Sequence, residues 1–236
     1  MIKIILTDIE GTISSLTFVR DVLFPYARNN IARYLESHAS DSIVAEVINQ
    51  VKNIIRSDRK KENSAAEEIT LTGVINTMIG WIDEDKKITP LKTLQGLIWE
   101  EGFKKEVFKA HIYSDALQKL QLWKKQGLPL YVYSSGSIFA QKLFFTYNEA
   151  GDILSLFSGH FDTTIGAKKD AGSYQKIAFS LNTMPENILF FSDIREELDA
   201  ALATGMKTAW IIRDGALADS PHKCFSDFDD IDLAQF

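Results

Sequence analysis

Ile2-Lys3-Ile4-Ile5-Leu6-Thr7 runs directly into Asp8-Ile9-Glu10-Gly11-Thr12, and this junction decides the fold. The first six residues are short, rich in branched side chains and almost continuously apolar. That texture predicts a parallel strand buried on both faces rather than an amphipathic edge strand. Its carboxyl end is then the edge at which an open parallel sheet gathers ligands. Strand side chains repeat every two residues, so Asp8 and Glu10 are expected to project to one side, with Gly11 letting the chain turn away. Two acids in one small space repel unless a cation or a shared proton offsets them, which points to a hard divalent ion such as Mg²⁺ held by oxygen ligands. A metal between carboxylates also suits phosphate, so the junction reads as a phosphoryl-transfer site.

Composition bounds the alternatives. The 236 residues suffice for one domain with an insertion, and a hydrophobic content of 45% supports a real core. A net charge of −6 offers no basic face for nucleic acid. A single cysteine, Cys224, excludes an internal disulfide framework, and with only His38, His111, His160 and His222 there is no Cys/His zinc pattern. The apolar N-terminal run reaches Asp8 too soon to be the core of a signal peptide, and no apolar stretch has membrane-spanning length. A cytoplasmic location, with no membrane partner, is expected.

The chain has two textures. From about Leu16 to Lys109 helical periodicity dominates, in Asn29–Ser37, Ile43–Ile55, Ile69–Trp81 and Leu91–Glu101. The charged run Arg56–Asn63 reads as a solvated loop. From Ser114 onward strands and helices alternate. Ser114 is expected to cap a helix ending near Gly127, followed by the strand Leu128–Tyr133, a second helix, a helix near Tyr174–Leu181, the strand Asn187–Phe191, a helix Arg195–Ala203 and the strand Lys207–Ile212. The expected fold is α/β: a parallel sheet with helices on both faces, comprising residues 1–16 and 112–236, with a helical cap, 17–111, inserted after the first strand.

Three later positions lie where such a sheet places its chemistry. Ser134-Ser135-Gly136-Ser137 follows a strand and precedes a helix; its amides and hydroxyls suit phosphate, and the same residues serve equally as a helix cap. The segment Gly159–Lys169 brings Lys168 and Lys169 to an expected loop, where one ammonium can balance Asp8 and bind a phosphoryl oxygen; His160 reads as structural. Asp193, directly after a buried strand, is either a metal ligand or the N-cap of the next helix. Glu196 and Glu197 favour that helix's N-terminus, and Glu197 has the further option of orienting a metal-bound water.

Acid pair, serine-rich turn, lysine and acid, each at a strand end and in that order, resemble the haloacid dehalogenase superfamily of phosphotransferases. Most of its phosphatases carry Asp-x-Asp in the first motif, where this chain has Glu10. With Glu10, the segments Leu23–Tyr26, Leu94–Trp99, Tyr131–Ser137, Ala140–Leu143, Gly151–Leu154 and Gly159–Thr163 look like the enolase-phosphatase (acireductone synthase) family of methionine salvage. The similarity runs from Ile2 to about Arg213. It implies a HAD-like Rossmannoid core and a monomeric, bifunctional enzyme using one Mg²⁺. The implied reaction enolises and then dephosphorylates the small molecule 2,3-diketo-5-methylthiopentyl-1-phosphate. Carried over by position, Asp8, Glu10 and Asp193 would bind Mg²⁺, while Ser134, Ser135 and Lys168 would contact substrate; the family pattern selects Lys168 over Lys169. Asp8 would be the nucleophile, and Glu10 the acid and base of the phosphatase step. The rival readings are a conventional phosphatase or phosphomutase of the same superfamily and a silent phosphate-binding scaffold. Phe18, Phe24, Tyr26 and Trp99 read by default as core aromatics.

Overall fold

Ile4–Thr7 forms a strand, β1, whose four residues are all buried. Ile4 and Leu6 face one side and Ile5 and Thr7 the other, so the near-continuous apolar run is explained by two covered faces. In the computed structural model, which describes residues 1–61, 68–216 and 219–236 (of 59–61 the backbone only), β1 lies within a six-stranded sheet. The other strands are β2 (Leu130–Tyr133), β3 (Gly159–Phe161), β4 (Ile188–Ser192), β5 (Lys207–Ile211) and β6 (Lys223–Phe225). Their order is β3-β2-β1-β4-β5-β6, and every pairing is parallel. The order reverses beside β1, which places the crevice for a ligand at the carboxyl ends of β1 and β4.

The helices are α1 (Leu16–Phe18), α2 (Phe24–His38), α3 (Ser42–Lys61), α4 (Leu71–Asp83), α5 (Thr89–Lys104), α6 (Ser114–Lys125), α7 (Ile138–Thr146), α8 (Ala171–Ser180) and α9 (Arg195–Leu202). Two compact units result, one of Met1–Val19 with Lys109–Phe236 and one of Arg20–Phe108. The expected insert, 17–111, is three residues longer at each end than the second unit. In the first unit, Ile4, Leu6, Tyr133, Ile188 and Phe190 pack against Tyr174 and Ile177 of α8 and Leu198 of α9. Trp123, Phe191 and Phe228 stack elsewhere in that core, with centroid separations of 5.4 Å and 5.2 Å. Burying each such ring contributes roughly 1.5–3 kcal/mol before ordering costs. The second unit is built from α2 to α5 around Ile31, Leu35, Val51, Val74, Met78, Leu94 and Ile98, all buried. No helix among the described residues is long and apolar enough to cross a membrane.

Three local expectations are corrected. Arg56 to Lys61 continue helix α3 instead of forming a loop, while Glu62 and Asn63 lie outside the described residues. The exposed residues Arg56 to Asp58 show that solvation does not require a loop: a helix end can carry charge into water on any face. Ser114 is the first residue of α6, not its cap; Tyr113 holds that position without a side-chain bond. Gly159–Phe161 is a strand, not loop, and it reads poorly from sequence because it is only three half-buried residues.

Candidate active site

The carboxyl edge of β1 turns on Gly11, whose φ of 71° is a left-handed conformation suited to glycine. A Cβ at Gly11 would stand 2.2 Å from Asp193 Oδ2, so the missing side chain also makes room for the acid that follows β4. The turn is closed by Gly11 N donating to Ser14 O at 2.8 Å and by Ile13 N and Ser14 N donating to Ile9 O. Asp8 is thereby held at the strand end, 6% exposed, with its amide donating to Phe191 O at 2.9 Å. Glu10, half-buried, lies in the same turn and bridges to Ser14 through its backbone.

Lys168 enters this space from the segment between β3 and α8. Its Nζ lies 2.7 Å from Asp8 Oδ1 and 2.6 Å from Glu197 Oε2, with the lysine 6% exposed. Glu197 is also buried, and its Oε2 accepts from Ser192 Oγ at 2.9 Å. Burial works against the charged amine, but Asp8 and Glu197 overcome it and hold the Lys168 pKa above its ordinary value. Glu197 is raised by burial and by the charge of Asp8, against the pull of Lys168. Asp193 is pushed up to about 7 by burial first and by Asp8 second. Such displaced values are what a polar functional pocket produces. Lys169, in contrast, is exposed and lies 3.7 Å from exposed Glu196.

The serine-rich turn leaves β2, next to β1, at the same edge: Thr7 pairs with Val132, and Ser134 N donates to Phe161 O at 3.2 Å. Ser134 is buried and its Oγ accepts from Gly136 N at 3.2 Å; Ser135 is exposed. The cap reading holds for Ser137, the N-cap of α7, which accepts from Ala140 N at 3.2 Å. The cap alternative for Asp193 does not hold: Ile194 occupies that position, and Trp210 Nε1 donates to Asp193 O at 2.8 Å.

Residues that the sequence reading passed over hold the turn in place. Gln141, 2% exposed, donates through Nε2 to Gly136 O and Phe161 O, both at 2.9 Å, and its Oε1 faces His160 Nδ1 at 3.1 Å. Burial lowers the His160 pKa to about 4, which keeps the ring neutral and structural near pH 7, with Nδ1–H the donor Gln141 requires. Asp162 ties the same region together, accepting from Ile138 N at 3.1 Å and Thr164 N at 2.9 Å. The signal available was the presence of Gln141 and Asp162 within segments already singled out by resemblance.

The donor set fits Mg²⁺. Asp8, Asp193 and Glu197 carry three carboxyls against the one ammonium of Lys168, leaving two negative charges when all are ionised. Asp193 is raised by burial first and by the neighbouring charge of Asp8 second, both of which a cation at the site would offset. Among the described residues no group of three or more His, Cys, Asp or Glu side chains is gathered as a metal cage. Mg²⁺ needs no such cage, since it commonly takes one or two carboxylates together with waters and phosphate oxygens.

The aromatic candidates are engaged in packing within their own units. Phe18 meets Phe144 edge to face at 5.8 Å, Phe24 lies 6.2 Å from Trp99, and Tyr26 meets Phe108 at 5.0 Å. Trp99 Nε1 donates to Leu23 O at 2.7 Å.

Residues 2–205 match the model of the haloacid dehalogenase-like hydrolase family. The chain is 48% identical over 233 residues to Enolase-phosphatase E1 of Methylococcus capsulatus, covering 98% of each chain. It is 49% identical to Enolase-phosphatase E1 of Thioalkalivibrio sulfidiphilus over 229 residues, covering 97% of this chain and 98% of the relative. Among solved structures it is similar to the UTR4 protein of Saccharomyces cerevisiae, with a TM-score of 0.79 and 28% identity over 98% of this chain and all of that one.

Proposed function

The chain belongs to the haloacid dehalogenase-like hydrolases and, within them, to the enolase-phosphatases, and from that membership we propose that it performs two successive steps on one small phosphorylated diketone. The substrate is 2,3-diketo-5-methylthiopentyl-1-phosphate. Enolisation gives the 2-hydroxy-3-keto enol phosphate, and dephosphorylation gives acireductone and phosphate, as methionine salvage requires. The observation that carries the reading is the buried Lys168 ammonium shared between Asp8 and Glu197 at the carboxyl edge of a parallel sheet.

In the phosphatase step Asp8 attacks phosphorus in line, forming an aspartyl phosphate as the bond to the leaving oxygen breaks. Lys168 and the Ser134–Gly136 turn bind the phosphoryl oxygens. Glu10 gives a proton to the leaving oxygen and then takes one from the water that releases phosphate and restores Asp8. In the enolisation Glu10 removes the proton from the carbon beside the substrate carbonyl while the carbonyl oxygen takes a proton from water, which leaves the Glu10 carboxyl protonated for the phosphatase step; its side chain is one methylene longer than the aspartate of ordinary relatives, extending its reach to carbon. Asp8 and Asp193, with Glu10 completing the protein ligands, would hold one Mg²⁺ per chain, which would supply positive charge to oxygens that become more negative during reaction. The catalytic form is a monomer.

The test is an anaerobic assay of the purified protein with that substrate and Mg²⁺, following ultraviolet enol absorbance and inorganic phosphate in one sample. Absorbance that rises before or with phosphate supports the proposal. Phosphate without an enol product leaves a conventional phosphatase.

A further inference from the structure

Lys168 is placed by a stretch of chain, residues 163–170, that has neither helix nor strand to hold it. Three consecutive carbonyls of that stretch accept from three side-chain hydroxyls. Tyr133 OH donates to Gly166 O at 3.0 Å, Ser173 Oγ to Ala167 O at 2.8 Å, and Tyr174 OH to Lys168 O at 2.7 Å. All three donors are fully buried and come from regular elements, Tyr133 from the end of β2 and Ser173 and Tyr174 from the first turn of α8. The two tyrosine rings meet edge to face at 5.5 Å, and the Lys168 ammonium stands 5.8 Å from the Tyr133 ring centroid.

The arrangement is specific to this backbone. Gly166 has φ 149°, and a Cβ there would come 2.1 Å from Ser173 Oγ, so the second hydroxyl reaches its carbonyl because position 166 is glycine. The bonds to Gly166 and Ala167 are only part-buried, whereas the Lys168 carbonyl is shut away from water and needs a donor, which explains its pairing. It does not explain why the donors are two phenols and a hydroxyl aimed at the three residues ending in the lysine. Burial raises both phenols, so they remain protonated donors across the working pH range.

We propose that Tyr133, Ser173 and Tyr174 are positioning residues for Lys168: a row of hydroxyls that fixes the backbone of residues 166–168 so that the ammonium meets a phosphoryl group at a set place. The proposal rests on the reading of Lys168 as a phosphate-binding group. A lysine whose backbone is already fixed has less backbone freedom to lose when its ammonium binds.

A double-mutant cycle read on inorganic phosphate tests it, using the full chain with saturating Mg²⁺, titration calorimetry for affinity and thermal unfolding for fold. Lys168→Met is expected to weaken phosphate binding by about 30-fold or more, and Tyr174→Phe by about 3- to 10-fold, whereas adding Tyr174→Phe to Lys168→Met changes affinity less than about 1.5-fold. Ser173→Ala is carried in parallel, with the same pattern expected, so that a poorly folding Tyr174→Phe leaves the cycle intact. Equal losses from the hydroxyl variants in both backgrounds, or no loss beside an intact Lys168, overturn the positioning role while leaving Lys168 a phosphate ligand. Unchanged affinity in Lys168→Met overturns the reading of Lys168 itself, and the proposal with it.

Discussion

Lys168 Nζ sits between Asp8 Oδ1, at 2.7 Å, and Glu197 Oε2, at 2.6 Å, with all three side chains buried. One ammonium therefore serves two carboxylates while a third, Asp193, stands nearby at an elevated pKa of about 7. The arrangement is stable only as a set. Removing its one cation leaves two buried carboxylates facing each other, whose uncompensated charge costs on the order of 3–5 kcal/mol. Lys168→Met, unfolded by urea at pH 8 without divalent ions, is expected to lose that much stability, and a loss under about 1 kcal/mol contradicts the pairing.

Asp193 gives a pH signature of opposite sense. Its folded-state pKa lies above the ordinary carboxyl value, so the native state holds the proton more tightly than the unfolded chain. The resulting cost is small at pH 4, grows as pH rises towards 7, and is complete above it. Asp193→Asn in metal-free buffer should therefore be more stable than the parent at pH 8 by about 2–4 kcal/mol, and by less than half that amount at pH 5. Added Mg²⁺ should stabilise the parent and leave the variant unmoved. A difference that is flat between the two pH values rules out this account of Asp193.

His160 carries the reverse linkage. Its folded pKa of about 4 lies below the ordinary imidazole value, so the unfolded chain takes up a proton first and stability is lost as pH falls from about 6.5 to 4. Over that window the parent should lose about 2–3 kcal/mol more than His160→Asn does. Parallel urea titrations at pH 7 and pH 4.5 measure it; identical acid losses in both proteins argue against a neutral half-buried ring.

Gly11→Ala combines two penalties, a left-handed backbone and a Cβ at 2.2 Å from Asp193 Oδ2. Phosphate release should fall by at least about 100-fold with far-ultraviolet circular dichroism unchanged, because displacement of a reacting group by 1 Å costs about that much. Turnover within fivefold of the parent removes the argument for close approach.

What was legible from sequence followed from short-range rules. A strand buried on both faces is written as a branched apolar run, so β1, β2, β4 and β5 were found to within a few residues, and the acids and serines at the ends of β1, β2 and β4 were singled out with them, whereas Lys168 follows the edge strand β3. The strands that escaped, Gly159–Phe161 and Lys223–Phe225, are three residues each and sit at the two edges of the sheet, where half-burial erases the pattern. The charged end of α3 was read as loop because helix propensity and solvation leave the same polar residues. Gln141 and Tyr174 were missed for another reason. Their roles are bonds to carbonyls brought near by the fold, and nothing in local spacing announces that a buried amide or phenol has found one.

The most direct measurement compares the parent and Asp8→Asn, both with Mg²⁺ and 2,3-diketo-5-methylthiopentyl-1-phosphate, under anaerobic conditions. The parent should produce enol absorbance and inorganic phosphate together, while Asp8→Asn, folded to the same extent, should release no phosphate. Parent-like phosphate release by Asp8→Asn would contradict Asp8 as the nucleophile and, with it, the catalytic account of this sheet edge.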